Sequence, residues 1–133
     1  MKSIYSLAFL LFLIPGCKKY QQDAPGTKNT VVRNVRFELF TNEHFETDHK
    51  NIQFRVIIRN EQHTLLDSPL ATMRVNEIPD SLHRIIVEKQ VPGNDPATLT
   101  VGFDYTIENV GSSWYLEQFL AGDTLKVLRY PFR

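Results

Sequence analysis

Residues Leu99–Ile107 alternate without a break. Leu99, Val101, Phe103, Tyr105 and Ile107 share one parity, and Thr100, Gly102, Asp104 and Thr106 share the other. In an extended chain successive side chains point to opposite faces, so this run predicts a strand with one apolar face and one wet face. A helix would scatter the same residues around its circumference. The period recurs in residues 31–40, where Val31, Val35, Phe37 and Leu39 oppose Arg36 and Glu38. It recurs again in residues 52–60, where Ile52, Phe54, Val56 and Ile58 oppose Gln53, Arg55 and Arg59. Residues 84–91 add the β-branched run Ile85-Ile86-Val87. Residues 70–75, 114–120 and 125–132 are weaker strand candidates.

Turn signals separate these runs. Residues 42–51 are polar, and Ile78-Pro79-Asp80 and Pro92-Gly93-Asn94-Asp95-Pro96 break any regular structure. Residues 109–113 and Ala121-Gly122-Asp123 read as further turns. Only residues 80–86 offer a short helical turn, with Asp80 as its cap. Short strands punctuated in this way predict an all-β fold, an antiparallel β-sandwich of about seven strands, immunoglobulin-like or related, with Greek-key connections. A small closed barrel is the second choice. The chain has one Cys and no Cys–Trp–Cys pattern, so any immunoglobulin likeness is architectural. The odd positions of 99–107 facing the even positions of 52–58 are expected to form most of the core.

Composition narrows the function classes. Fifteen Lys and Arg balance fifteen Asp and Glu, without the basic excess of a nucleic-acid binder. With 42% hydrophobic residues, nine Phe and five Tyr, the chain is too apolar to be disordered.

The N-terminus reads as an address. Lys2 precedes an 11-residue, largely apolar run from Ile4 to Ile14, which ends at Pro15-Gly16-Cys17. That is too short for a bilayer span of about 20 residues and fits a secretory h-region of roughly 7–15. Ile14-Pro15-Gly16-Cys17 resembles the lipobox of bacterial lipoproteins, with an aliphatic residue at −3, a small residue at −1 and Cys first in the mature chain. The resemblance covers about residues 1–20. It implies a cleaved signal peptide over 1–16, a covalent lipid on Cys17, and an anchor to the membrane. Lys18 rather than Asp at the following position implies sorting to the outer membrane of a Gram-negative, Bacteroidota-like envelope. Asp23 alone stands where surface-exported members carry an acidic cluster. Residues 17–30, with Pro25-Gly26 and no apolar period, read as the lipidated Cys and a flexible tether, leaving 31–133 as the folded domain.

Within the domain, Glu43-His44-Phe45-Glu46-Thr47-Asp48-His49 concentrates carboxylates and imidazoles. His44, Glu46, Asp48 and His49 are of the types that ligate divalent metals, but their spacing matches no named motif, and a solvated hairpin loop is the simpler reading. His63 and His83 are isolated. Ser68, Ser81, Ser112 and Ser113 lie outside any G-x-S-x-G elbow, with Gly111-Ser112-Ser113 read as a turn. No catalytic motif and no cofactor motif is present; the expected prosthetic group is the lipid on Cys17.

The aromatic set Tyr105, Trp114, Tyr115 and Phe119 is the candidate binding surface. Parity puts Trp114 with Leu116, and Tyr115 with Glu117 and Phe119, so one set faces outward. The preferred assignment makes Trp114 the core tryptophan with the tyrosines at its edge. The other leaves aromatics exposed beside polar groups, suited to glycan stacking or protein contact. The expected function is a lipid-anchored envelope protein whose sandwich binds or assembles with another envelope protein or a glycan. An envelope enzyme or inhibitor with a loop-built site is the alternative.

Overall fold

The computed structural model describes residues 30–133. The expected signal peptide, Cys17 and the expected tether up to residue 29 lie outside the described residues. The chain forms an all-β sandwich. Its strands are β1 (Asn34–Thr41), β2 (Asn51–Arg59), β3 (Thr64–Pro69), β4 (Met73–Arg74), β5 (Ile85–Gln90), β6 (Leu99–Ile107), β7 (Gly111–Phe119) and β8 (Leu125–Phe132). One sheet has the order β5-β1-β8. The other runs β3-β2-β6-β7, with the short β4 also paired to β2.

The pairings between strands are antiparallel except β1 with β8, which run parallel from Asn34↔Leu125 to Thr41↔Phe132. The residues 120–124 carry the chain from the five-stranded sheet across to the three-stranded one. The last strand therefore lands beside the first and points the same way. Parallel neighbours need a long connection, and here the rest of the domain supplies it.

The core lies where alternation places it. Val35, Phe37 and Leu39 of β1 and Leu128, Tyr130 and Phe132 of β8 meet Ile52, Phe54, Val56 and Ile58 of β2 and Leu99, Val101 and Phe103 of β6. Edge-on aromatic contacts join the sheets, Phe37 to Phe103 at 5.6 Å and Phe54 to Phe132 at 5.8 Å. Such T-shaped pairs place the positive ring edge against the negative face.

Several local expectations are corrected. Val31 is exposed and precedes β1, which starts at Asn34. β3, with its weak alternation, was not expected, and residues 70–75 hold only the two-residue β4 and the start of a 3₁₀ turn at Val75–Glu77. No helix forms after Asp80; its carboxylate accepts from the Leu82 and His83 amides in a local turn. Gly111-Ser112-Ser113 belong to β7, opposite Ile107, Thr106 and Tyr105, because the hairpin turns more tightly than residues 109–113 suggested. Pro131 is expected to stop the last strand, but β8 runs through it to Phe132. β8 is an edge strand, where a missing amide proton costs no ladder bond.

Two charged residues among those described are buried. Arg33 shares the apolar parity of β1 and is 3% exposed. Its guanidinium donates to the carbonyls of Asp95, Ala97, Leu120 and Asp123 at 2.6–2.9 Å and lies 4.0 Å over the Phe119 ring. It ties the entry of the chain to two loops at one end of the sandwich. Glu38 lies on the other parity, yet is 4% exposed because arginine side chains cover it.

Candidate functional site

The outer face of the five-stranded sheet is built by register. Arg55 of β2 opposes Asp104 of β6, which opposes Trp114 of β7. In the next row Asp67 of β3, Ile57, Gly102 and Leu116 lie side by side. Since Phe103 and Val101 point into the core, Asp104, Gly102 and their partners Trp114 and Leu116 point out. Trp114 is 69% exposed, contrary to the expectation of a core tryptophan.

Gly102 shapes this face. A β-carbon there would fall on the Tyr115 carbonyl oxygen and on Leu116. The missing side chain lets Leu116 lie flat across β6. A depression of about 300 Å³ remains, lined by Ile57, Arg59, Asp104, Trp114 and Leu116. At its side Arg55 grips Asp67 through two parallel bonds, Nε–Oδ1 at 2.7 Å and Nη2–Oδ2 at 2.8 Å. This pair holds the Arg55 guanidinium above its ordinary value, chiefly through the hydrogen bond to Asp67. No such pair engages Asp104 or Arg59 among the described residues. The Trp114 indole, the apolar side chains of Ile57 and Leu116, the Asp104 carboxylate and the Arg59 guanidinium thus border one depression.

The structure separates the four aromatic candidates. Phe119 is 0% exposed in the core and cannot line a surface. Tyr105 and Tyr115 are half-buried on the inner side. Tyr115 stacks on Tyr130 with centroids 4.6 Å apart, and the Tyr130 hydroxyl donates to Tyr105 at 3.1 Å. The Tyr115 hydroxyl donates to Glu117 Oε1 at 2.9 Å, and Lys126 Nζ reaches Glu117 Oε2 at 2.6 Å. These contacts close the side of the sandwich between β7 and β8. Desolvation, followed by the bond to Glu117, pushes the Tyr115 phenol up. Desolvation also pushes the Glu117 carboxyl up, but Lys126 and Tyr115 outweigh it and leave it lowered. Trp114 alone of the four faces solvent broadly.

The acidic-histidine loop is pinned by Phe45, whose ring lies 5.4 Å from Phe132. Asp48 is engaged by Lys50, through both its amide and its ammonium. The His49 ring bonds the Asn76 amide at 3.0 Å, and Asn76 lines a cleft of about 430 Å³ together with His44 and Glu46. Among the described residues no three His, Cys, Asp or Glu side chains gather as a metal site. His44, Glu46, Asp48 and His49 are therefore not brought together. His83 pairs with Asp80 at 2.9 Å.

Arg59, Asp104 and Ile57 were not singled out from sequence as site residues. The available signal was hairpin register. A turn with an odd number of residues between β6 and β7 keeps odd positions facing odd positions, which sets Trp114 beside Asp104 on the wet face. No family model matches the chain, and neither does any curated protein or solved structure.

Proposed function

We propose that the chain is a lipid-anchored envelope protein, held in the outer membrane through Cys17, whose β-sandwich is a binding module for a glycan. The observation that carries the binding reading is Trp114, 69% exposed beside a depression whose Asp104 and Arg59 make no side-chain hydrogen bond or short ion pair among the described residues, Asp104 feeling only the charge of Arg55 across the strand pair. A flat indole stacks against the C–H face of a sugar ring, an apolar contact with a directional preference. Asp104 supplies acceptors for hydroxyls and Arg59 supplies donors. Leu116 and Ile57 supply the apolar part of the lining, and the Arg55–Asp67 pair holds the neighbouring side chains. The anchoring part of the reading rests on the lipobox-like Ile14-Pro15-Gly16-Cys17.

The test uses the full-length protein in neutral detergent. A glycan array selects ligands, and these are titrated while the emission of Trp114, the chain's one tryptophan, is followed. Saturable change of that emission, with array binding lost in Trp114→Ala, supports the reading. No glycan signal, with a protein captured by wild type and not by Trp114→Ala, would show the face to be a protein interface and overturn it. Labelling with a clickable fatty acid tests the anchor: Cys17→Ala that still labels and pellets with membranes rules the anchor out.

A further inference from the structure

The opposite side of the sandwich carries a second constellation. Register sets Glu38, on the central strand of the three-stranded sheet, between Ile86 of β5 and Arg129 of β8. Arg84 Nη1 donates to Glu38 Oε2 at 2.8 Å, and Arg129 Nε donates to the same oxygen at 3.1 Å. Arg36 Nε lies 3.0 Å from Oε1 without an aligned hydrogen bond. Arg36 also approaches Glu88 at 3.6 Å, a contact to a side chain 69% exposed and so weakened by water.

The charges do not close. Three guanidiniums face one buried carboxylate and one solvated carboxylate. Of the five N–H donors on each guanidinium, Glu38 takes one from Arg84 and one from Arg129. Arg84 spends one more, from Nε, on the Ser81 carbonyl at 3.0 Å. Nη2 of Arg84 and both terminal nitrogens of Arg129 have no acceptor among the described residues. Because both side chains end on one oxygen atom, the two guanidiniums are held side by side. Like charges this close would splay apart, and the buried Glu38 prevents it.

We propose that Arg84 and Arg129, with Arg36 behind them, form a binding site for a phosphate group, and that Glu38 is its positioning residue. A tetrahedral oxyanion offers several acceptors to two adjacent guanidiniums, and the planar fork matches that geometry where a lysine would present only a point charge. Pre-positioning by Glu38 removes part of the ordering cost of binding. The phosphate is either a free ion or the phosphodiester of a lipid headgroup. The site is independent of the Trp114 face and of the glycan reading.

The experiment follows arginine Nε–H resonances of the ¹⁵N-labelled full-length protein in neutral detergent micelles. Inorganic phosphate is titrated in one arm and glycerophosphoglycerol, a deacylated phospholipid headgroup, in the other. The expected result is a saturable shift of the Arg84 and Arg129 signals. Arg129→Gln should weaken it by about tenfold or more, the scale of one charge-assisted hydrogen bond. Arg74→Gln, on β4, should leave it unchanged. Saturation by phosphate alone assigns the site to the free ion, and saturation by the diester assigns it to a headgroup; either supports the proposal. If Arg129→Gln loses the amide spectrum of the folded chain, Arg129→Lys takes its place, with weaker binding expected because the fork is gone. No saturable shift with either ligand, or equal binding by wild type and the Arg129 variant, overturns the proposal and leaves a structural ion network.

Discussion

Replacing Arg33 by methionine isolates what a buried guanidinium contributes to this sandwich. The side chain is 3% exposed, and methionine fills the space of its stem, so the change removes donors rather than opening a large cavity. Those donors satisfy the carbonyls of Asp95 and Ala97 at 2.6 Å, Leu120 at 2.8 Å and Asp123 at 2.9 Å. The Phe119 carbonyl sits further out, at 3.4 Å. Hydrogen bonds to a charged group contribute roughly 1.5–3 kcal/mol each, and an orphaned buried acceptor costs about 1–3 kcal/mol. Water can reach four of these carbonyls once the loops relax, which offsets part of the loss. A net cost of about 3–5 kcal/mol follows, on the order of two buried acceptors left without a donor. That is a large share of the roughly 5–15 kcal/mol that holds an ordinary domain folded. At about 4–8 °C per kcal/mol for a domain near this size, the melting temperature should fall by at least ~12 °C. Urea unfolding of the full chain, followed by circular dichroism, measures the cost, and calorimetry checks it. Arg33→Lys should fall between, because one ammonium cannot reach both loops. If Arg33→Met loses no more stability than Arg74→Met, on the exposed β4, the argument fails. The buried guanidinium would then be exchangeable for apolar packing, as some buried ions are.

Phe54→Ala and Phe103→Ala should each cost about 3–5 kcal/mol in urea unfolding, since both rings are fully buried between the sheets; an unchanged midpoint would contradict the face assignment. Gly102→Ala should cost roughly 1–3 kcal/mol by driving a methyl group into the Tyr115 carbonyl and Leu116. A neutral result would mean that β6 and β7 separate freely there. Desolvation pushes the Glu38 carboxyl up, but the hydrogen bonds and charges of Arg84 and Arg129 outweigh it, so its folded value lies below the ordinary 4.5. Its contribution to stability is therefore complete above pH 4.5 and lost as pH falls through the lower folded value. Glu38→Gln should flatten that acid limb of the stability curve, and parallel limbs in the two proteins would refute it.

Much of the fold was legible in the chain because a strand's side-chain period is two. β2 and β6 each bury one face of a sheet, so their alternation survives undisturbed, from Ile52 to Ile58 and from Leu99 to Phe103. β3 was not legible. It is a short edge strand whose side chains are only partly buried, and burial is what writes alternation into a sequence. Arg33 broke the pattern of β1 on its apolar parity. Nothing local announces the loop carbonyls it serves, which come from residues 95–97 and 119–123. Glu38 was read as a wet position, since its arginines come from β1, β8 and the approach to β5.

Alternation along the chain places Trp114 and Leu116 on one face of β7, and Tyr115, Glu117 and Phe119 on the other. Parity is a local property of the extended backbone. Which set is buried was decided by the tertiary structure. The hairpin pairs Phe103 with Tyr115 and Asp104 with Trp114, so the core side of β6 carries the odd residues of β7 inward with it. A one-residue slip would have reversed the assignment. The same holds for the parallel meeting of β1 and β8 and for the clustering of Arg84 and Arg129 on Glu38. These groups are far apart along the chain, and only the packing of two sheets around one apolar core brings them together.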